Sequence, residues 1–505
     1  MRFVNLALGI GTSFVLFPAL ILNRKTILCK AEERVSDDSV RVAIVGSGIG
    51  GSAAACFTRK LFGDKASIDV FEASSRVGGR LGVMEVAGRM YESGGSIIHE
   101  KNKYMKSFVE ELGLKELKSN EANSLIAIYN GTGFDFIGSK FKILNYIKLL
   151  WRYGFDLITI DKWINNMLKH FSNIYDLQDK GNAYENVDDL LNAMGGEEFV
   201  ELKQKTTRDV LQKLGLKDIT INEIVTSVMR VNYGQDVTLN AFAGSVSLAG
   251  VGGGLWSVEG GNYRVCELLL TASKANLYKE TKVSKITKIS NNNKPSYIIT
   301  TSQGLNQSYD IVIIAAPLEV QSNFFTCLSC SNWPQACHTN TFWQTVATFV
   351  QGEINLTHFG FKSASDVPEG IFTTENPKNY FNSIGLQQPV RDRNSTDTRD
   401  KPVRKVFSRQ PLTSEQLQEL FATRNVTKSV KWLAYPDLKP ARHLKSFILD
   451  EGVFYINAIE HAASAMEMSC VGAKNAVLLA YNYYNKQEVD KEDEKREEKT
   501  KNDEL

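Results

Sequence analysis

RVAIVGSGIGGSAAA, residues 41–55, joins a strand-like run (40–45) to a turn of spaced glycines and then to small residues suited to the start of a helix. Gly46, Gly48 and Gly51 stand in the G-x-G-x-x-G spacing. Gly46 permits the tight turn, and Gly48 leaves no side chain between the backbone and a pyrophosphate. Gly51 lets the helix pack close to the strand, so that its positive end faces the phosphates. Such a turn alone is common. Here SIDVF runs into Glu72, twenty-one residues after Gly51, where a carboxylate is placed to accept hydrogen bonds from a ribose hydroxyl. The pair points to a dinucleotide-binding βαβ unit.

Working outward, Arg76-Val77-Gly78-Gly79-Arg80 follows directly. It resembles the R-x-G-G-R segment of the flavin amine oxidase and glutathione-reductase-2 group, which lies along the pyrophosphate and flavin of FAD. The resemblance implies close backbone approach at Gly78 and Gly79 and a phosphate partner in Arg80. Lys282-Val283 and DIVIIAAP (310–317) read as further strands of that domain. The segment 454–484 reads as a strand, a loop and a long helix. Glu460 and residues 466–469, Met468 among them, fall where the group places the ribityl chain and the last helix against the flavin. The implied cofactor is non-covalent FAD.

A narrower resemblance rests on YESGGSIIH (91–99), LLWRYGF (149–155), VMRVNYGQ (228–235), SVSLAGVGGGLWSVEGGN (245–262), KWLAYP (431–436) and AASAMEMS (462–469). Together these are similar to the prenylcysteine oxidase family over about residues 40–485. The family implies cleavage of the thioether in S-farnesyl- or S-geranylgeranyl-cysteine, with O2 as acceptor, to cysteine, prenyl aldehyde and hydrogen peroxide. The expected route is hydride transfer from prenyl C1 to flavin N5, addition of water at C1, and collapse of the hemithioacetal. Sulfur and the allylic bond stabilise the cation, so no strong base is needed. No Ser-His-Asp or Cys-His constellation is evident in the sequence. Gly94, Gly95, Ser96 and Val283 join the expected FAD site.

The residues at the reacting atoms are open. His99 either shuttles a proton beside the flavin or is a structural histidine. Tyr233 and Gln235 are polar groups in a segment suited to burial and are candidates to order water or the cysteine head. Arg230 either holds the substrate carboxylate or pairs with a core acid. Trp256 is a substrate-wall candidate, and Glu259 a candidate to bind backbone beside the flavin. The rivals are a flavin amine oxidase, with Trp256 and Tyr435 as an aromatic cage, and a non-catalytic flavin protein carrying prenyl lipid. An NADPH reductase is disfavoured, since no second G-x-G-x-x-G precedes a basic residue.

The chain has 505 residues, 43% of them hydrophobic, and a net charge of +2, enough for more than one domain and with no basic stripe for nucleic acid. Residues 1–31 read as a cleaved signal peptide, an uncleaved anchor being the alternative. Five N-x-S/T sequons, at Asn130, Asn306, Asn355, Asn394 and Asn425, become plausible glycosylation sites beside it, with Asn355 the first choice. Cys327, Cys330 and Cys337 cluster where an oxidising lumen favours one local disulfide. A metal is not expected, because C-x-x-C near His338 has no second ligand pair. Residues 486–505 read as a charged disordered tail ending Asn-Asp-Glu-Leu, which resembles a retrieval address. The expected location is therefore the secretory lumen: lysosome by family resemblance, endoplasmic reticulum by this tail.

The fold class expected is α/β, α+β over the whole chain. A discontinuous Rossmann-type FAD-binding domain (40–101, 253–317, 432–485) would carry an inserted substrate domain of mixed helices and strands (102–252, 318–431). Within the first insert, aromatics Tyr146, Trp151, Phe155, Trp163 and Phe171 punctuate a helical stripe, expected mainly as core or interface packing. Flanking Lys and Arg leave a peripheral membrane contact as a further option.

Overall fold

The computed structural model describes residues 39–118, 125–250, 253–291, 294–318, 326–330, 341–391 and 401–503. The expected signal peptide, Asn394, Cys337 and the last two residues lie outside the described residues.

β1 (Val40–Val45) is apolar at all but one position, as befits a strand covered on both faces. It runs parallel between β2 (Ala66–Phe71) and the strand Ile311–Ile314, with Val45 level with Phe71 and Ile314. Asn276–Tyr278 extends the sheet outside β2, and Val453–Tyr455 and antiparallel Ile448–Asp450 extend it on the other side. α1 (Ile49–Phe62) and the C-terminal helix (Met466–Asp503) pack together over this sheet. Because the central strands end level, the loops after them open on one crevice. A four-stranded sheet stands beside it, and its strand Thr326–Leu328 lies past the boundary expected at 317.

The second unit is a seven-stranded sheet. Its strands run in the order Val426–Pro436, Phe342–Gln351, Val403–Ser408, Ser383–Leu386, Gly370–Thr373, Ile126–Tyr129, Phe134–Ile137. It roofs the crevice. KWLAYP sits in its edge strand, so residues 432–436 belong to the roof rather than to the FAD-binding domain.

The helical stripe of the first insert breaks at Gly154 (φ +63) into α3 (Lys142–Tyr153), α4 (Asp156–Phe171) and Asn173–Asp179. Trp163 is buried and Phe171 half-buried. Tyr146, Trp151 and Phe155 instead face outward, 47, 87 and 71% exposed, which corrects the packing expected of them. The cause is that the other side of α3 is tied down. Asn145 Oδ1 accepts from Ser139 N at 3.0 Å, and Glu223 accepts from Arg152 (2.6 and 2.7 Å) and Tyr153 Oη (2.9 Å).

The charged tail is a second correction: the C-terminal helix runs on to Asp503. Its sequence is rich in helix formers, with Glu492–Arg496 and Glu497–Lys501 spaced four apart. Cys327 and Cys330 form a disulfide. Among the sequons, Asn306 and Asn425 are exposed. Asn355 is half-buried, its side chain capping a short helix by accepting from His358 N, and Asn130 is half-buried and donates to Asp135 at 2.7 Å.

Candidate active site

The crevice is a cavity of about 1950 Å3, against roughly 300–1,000 Å3 for an ordinary small-molecule pocket. Its floor is the glycine turn. Gly46 has φ +104, open in practice only to glycine. Gly51 is not on the wall. A Cβ there would fall 1.9 Å from the Gly46 carbonyl oxygen, so only glycine lets α1 start against β1. Over Gly48 a Cβ would meet nothing closer than Gly79 Cα at 3.9 Å, which leaves the backbone open to a phosphate. Gly48 bridges Gly78 in parallel, and Gly78 N donates to Ser47 O at 3.0 Å, so the two glycine segments lie side by side.

Glu72 sits buried at the end of β2. Ser47 N (3.0 Å), Ser47 Oγ (2.7 Å), Ser74 N and Ser74 Oγ (both 2.8 Å) donate to it. Two of these donors are hydroxyls that rotate away, leaving room for a ribose diol. Arg76 staples the second turn by donating to Leu81 O (2.8 Å) and Gly79 O (2.7 Å). Arg80 reaches across to pair with Glu460 and donates to Ala434 O at 2.8 Å. Glu460 is 2% exposed, and its second carboxylate oxygen has no hydrogen-bond partner. A buried orphan acceptor on the cavity wall calls for a donor from a ligand, such as a sugar-alcohol hydroxyl. Gly94, Gly95, Ser96, Val283 and Met468 line the same wall. The cradle fits FAD.

Two residues that build this wall escape sequence reasoning, and a third, inside the expected segment 466–469, shows its role only in the structure. Asn262 is fully buried and donates from Nδ2 to Gly95 O (2.6 Å). It also accepts from Val258 N (2.8 Å) and donates its own amide to Glu92 Oε1 (2.7 Å). It thereby ties the Gly94-Gly95 turn to the strand Leu255–Val258. Lys405, on the roof strand Val403–Ser408, donates to Glu92 O (3.0 Å) and Ser96 Oγ (3.2 Å) beneath the Phe407 ring. Burial lowers its pKa to about 8, against the pull of Glu92. Its one signal in the sequence was two cations, Arg404 and Lys405, flanked by valines in a strand. Glu467, at the start of the C-terminal helix, is the third. Tyr104 N (2.7 Å), Met105 N (3.0 Å) and Tyr175 Oη (2.7 Å) donate to its carboxylate, and burial still raises its pKa to about 7.

The residues expected at the substrate divide. Tyr233 and Trp256 line the cavity, and the Tyr233 ring meets Tyr435 edge-on at 5.0 Å. Burial pushes both phenols up in pKa. His99 lines it too, with Nδ1 accepting from Lys101 N at 3.1 Å, which places the proton on Nε2. Arg230 reaches the wall, but its guanidinium is spent on Glu375, Thr373 Oγ1 (2.9 Å) and Phe381 O (3.1 Å). Buried itself and paired with the exposed Glu375, it is not a waiting carboxylate clamp. Gln235 does not reach the cavity. Its amide is spent on Pro436 O and Leu438 N, both at 3.0 Å, clamping the end of the roof's edge strand. Glu259 faces outward toward Lys115.

One cavity thus joins a dinucleotide cradle to an aromatic wall, and comparison with known proteins agrees. A prenylcysteine lyase family model matches residues 136–494, and a Rossmann-like NAD(P)-binding model matches residues 44–112. Prenylcysteine oxidase 1 of Homo sapiens is 40% identical over 467 residues, 90% of this chain and 91% of that one. Prenylcysteine oxidase 1 of Bos taurus is 39% identical over 455 residues, 88% and 89% of the two chains. Among solved structures, cyclohexylamine oxidase from Brevibacterium oxydans shares the fold, with a TM-score of 0.58 at 15% identity over 88% of this chain and 100% of that one. With the motif segments, the glycine cradle and the aromatic wall all inside the matched regions, this chain is a member of the prenylcysteine lyase family.

Proposed function

We propose that the chain is an FAD-dependent thioether oxidase acting on S-farnesyl- and S-geranylgeranyl-cysteine. Thioether, O2 and water would become cysteine, prenyl aldehyde and hydrogen peroxide. The observation that carries this is a single cavity, about 1950 Å3, whose polar end cradles a dinucleotide while Tyr233, Trp256, Tyr435 and Phe407 wall the rest. FAD, when bound, supplies a two-electron acceptor that O2 can reoxidise. The protein's part is binding, aim and dielectric. The aromatic wall takes the prenyl chain, each buried CH2 contributing roughly 0.8 kcal/mol. Lys405 keeps a positive charge at a dry wall below about pH 8, beside the Ser96 turn. His99, on the cavity wall, is the candidate to pass a proton to water entering there. With Arg230 already paired with Glu375, holding the cysteine head falls to other groups.

Anaerobic addition of S-farnesyl-L-cysteine to the yellow holoprotein tests the reading. Bleaching of the flavin, reversed by air with peroxide and farnesal formed, is the expected result. An unreduced flavin that bleaches with a small amine would favour the amine oxidase reading, to which the Tyr233–Tyr435 pair also lends itself. A flavin that bleaches with neither would leave a carrier. The location we propose is the secretory lumen, lysosome or endoplasmic reticulum, a reading the Cys327–Cys330 disulfide supports. A mobility shift on N-glycosidase digestion checks it.

A further inference from the structure

We propose that the outward face of α3 docks on the surface of an anionic phospholipid bilayer. Fifteen large apolar side chains are exposed among the described residues, and eight of them fall within residues 141–158. Ile143, Ile147 and Trp151, four apart, form one stripe along α3, 78, 53 and 87% exposed, with Phe141 and Phe155 at its two ends. An apolar patch of this kind on a soluble surface marks an interaction site. The polar side of the helix is the side held to the protein, through Asn145, Arg152 and Tyr153.

Charge selects the occupant. Residues 138–155 hold Lys140, Lys142 and Lys148 and no carboxylate, Arg152 being paired with Glu223, and the three lysines are exposed. A second copy of this face would bring like charge against like charge. An anionic headgroup layer meets the lysines while Trp151, Ile147 and Phe155 enter its acyl boundary. The helix lies on the bilayer rather than across it. Its twelve residues span about 18 Å, against a hydrocarbon core of about 30 Å. Among the described residues, no helix is long and apolar enough to cross a membrane.

The face also adjoins the cavity. Ile126 lines the cavity and is 38% exposed, and its carbonyl accepts from Gly138 N at 2.9 Å, in the turn that Asn145 of α3 caps. An isoprenoid held in the bilayer is thereby brought beside the mouth. That last point rests on the thioether oxidase reading; the docking does not.

The test mixes the full-length holoprotein with phosphatidylcholine vesicles, with or without phosphatidylserine, and sediments them. Binding to the phosphatidylserine vesicles, weakened by salt, is expected. Ile147→Glu/Trp151→Glu should lower partition about a hundredfold while turnover of soluble farnesylcysteine without vesicles is unchanged. Lys142→Glu/Lys148→Glu should abolish the preference for phosphatidylserine. Wild-type protein that sediments with neither vesicle overturns the proposal, as does an apolar-face variant that binds like wild type. A dimer that this variant turns into monomer, with no vesicle binding, assigns the face to a second copy and also overturns it. Vesicle binding without farnesylcysteine turnover leaves the docking intact and removes the substrate reading.

Discussion

At the residue scale, two positions carry most of the site's chemistry for opposite reasons. Gly51 matters for what it lacks. Adding one methyl at 1.9 Å from the Gly46 carbonyl oxygen must push α1 off β1 and its N-terminus off the phosphates. Gly51→Ala should cost about 1–3 kcal/mol of stability and give a colourless protein, as read by melting and flavin absorbance. Lys405 matters for what it holds. Its ammonium is charged below about pH 8 and neutral above, so turnover that uses the charge declines as pH rises through that value. Lys405→Met should lower kcat/KM at least about tenfold and remove the decline; an unchanged pH profile would leave Lys405 a packing residue. The motif glycines were legible because their role is backbone geometry, written in local spacing. Lys405 was not, since its partners Glu92 and Ser96 lie some three hundred residues away in the sequence.

At the element scale, single polar side chains lock helices and strands to one another. Asn262→Ala would free the Gly95 carbonyl and the Val258 amide at once, while the backbone bond to Glu92 stays. The expected loss is about 1–3 kcal/mol, with weaker FAD retention on dilution. Glu467 caps the first turn of α2 (Lys103–Glu111) from the neighbouring C-terminal helix. Its folded pKa, about 7, lies above the ordinary 4.5, so the folded state holds this proton more tightly than the unfolded chain. Its contribution is full below about 4.5, shrinks as pH rises and levels off above about 7, roughly 3 kcal/mol lower. Glu467→Gln should flatten that part of the melting curve measured across the same window. Element legibility followed periodicity. The stripe in α3 was visible, but the same amphipathic pattern serves a buried face or a docking face, and the sequence does not say which way it turns.

At the scale of the whole molecule, the cavity sits between a mainly parallel sheet and a mixed roof sheet, held together across it by clamps such as Arg80 to Ala434 O and Lys405 to Glu92 O. Removing FAD should therefore lower the melting temperature, and adding it back should restore the transition in a concentration-dependent way. The apolar volume should also rank substrates by chain length. Farnesyl- and geranylgeranyl-cysteine are both expected to turn over, and S-methylcysteine to leave the flavin oxidised, as read by anaerobic bleaching.

The sequence alone determined the dinucleotide cradle and the family, because each rests on short segments whose chemistry is complete within a few residues. Tertiary structure alone decided that Arg230 is paired, that Gln235 clamps the roof's edge strand, that Lys405 and Asn262 reach the flavin turn, and that α3 presents its apolar side to solvent. The physical reason is common to all four. Whether a charge is spent or available, and whether an apolar face is inside or outside, depends on partners the chain brings from far away, and spacing along the sequence carries no record of them.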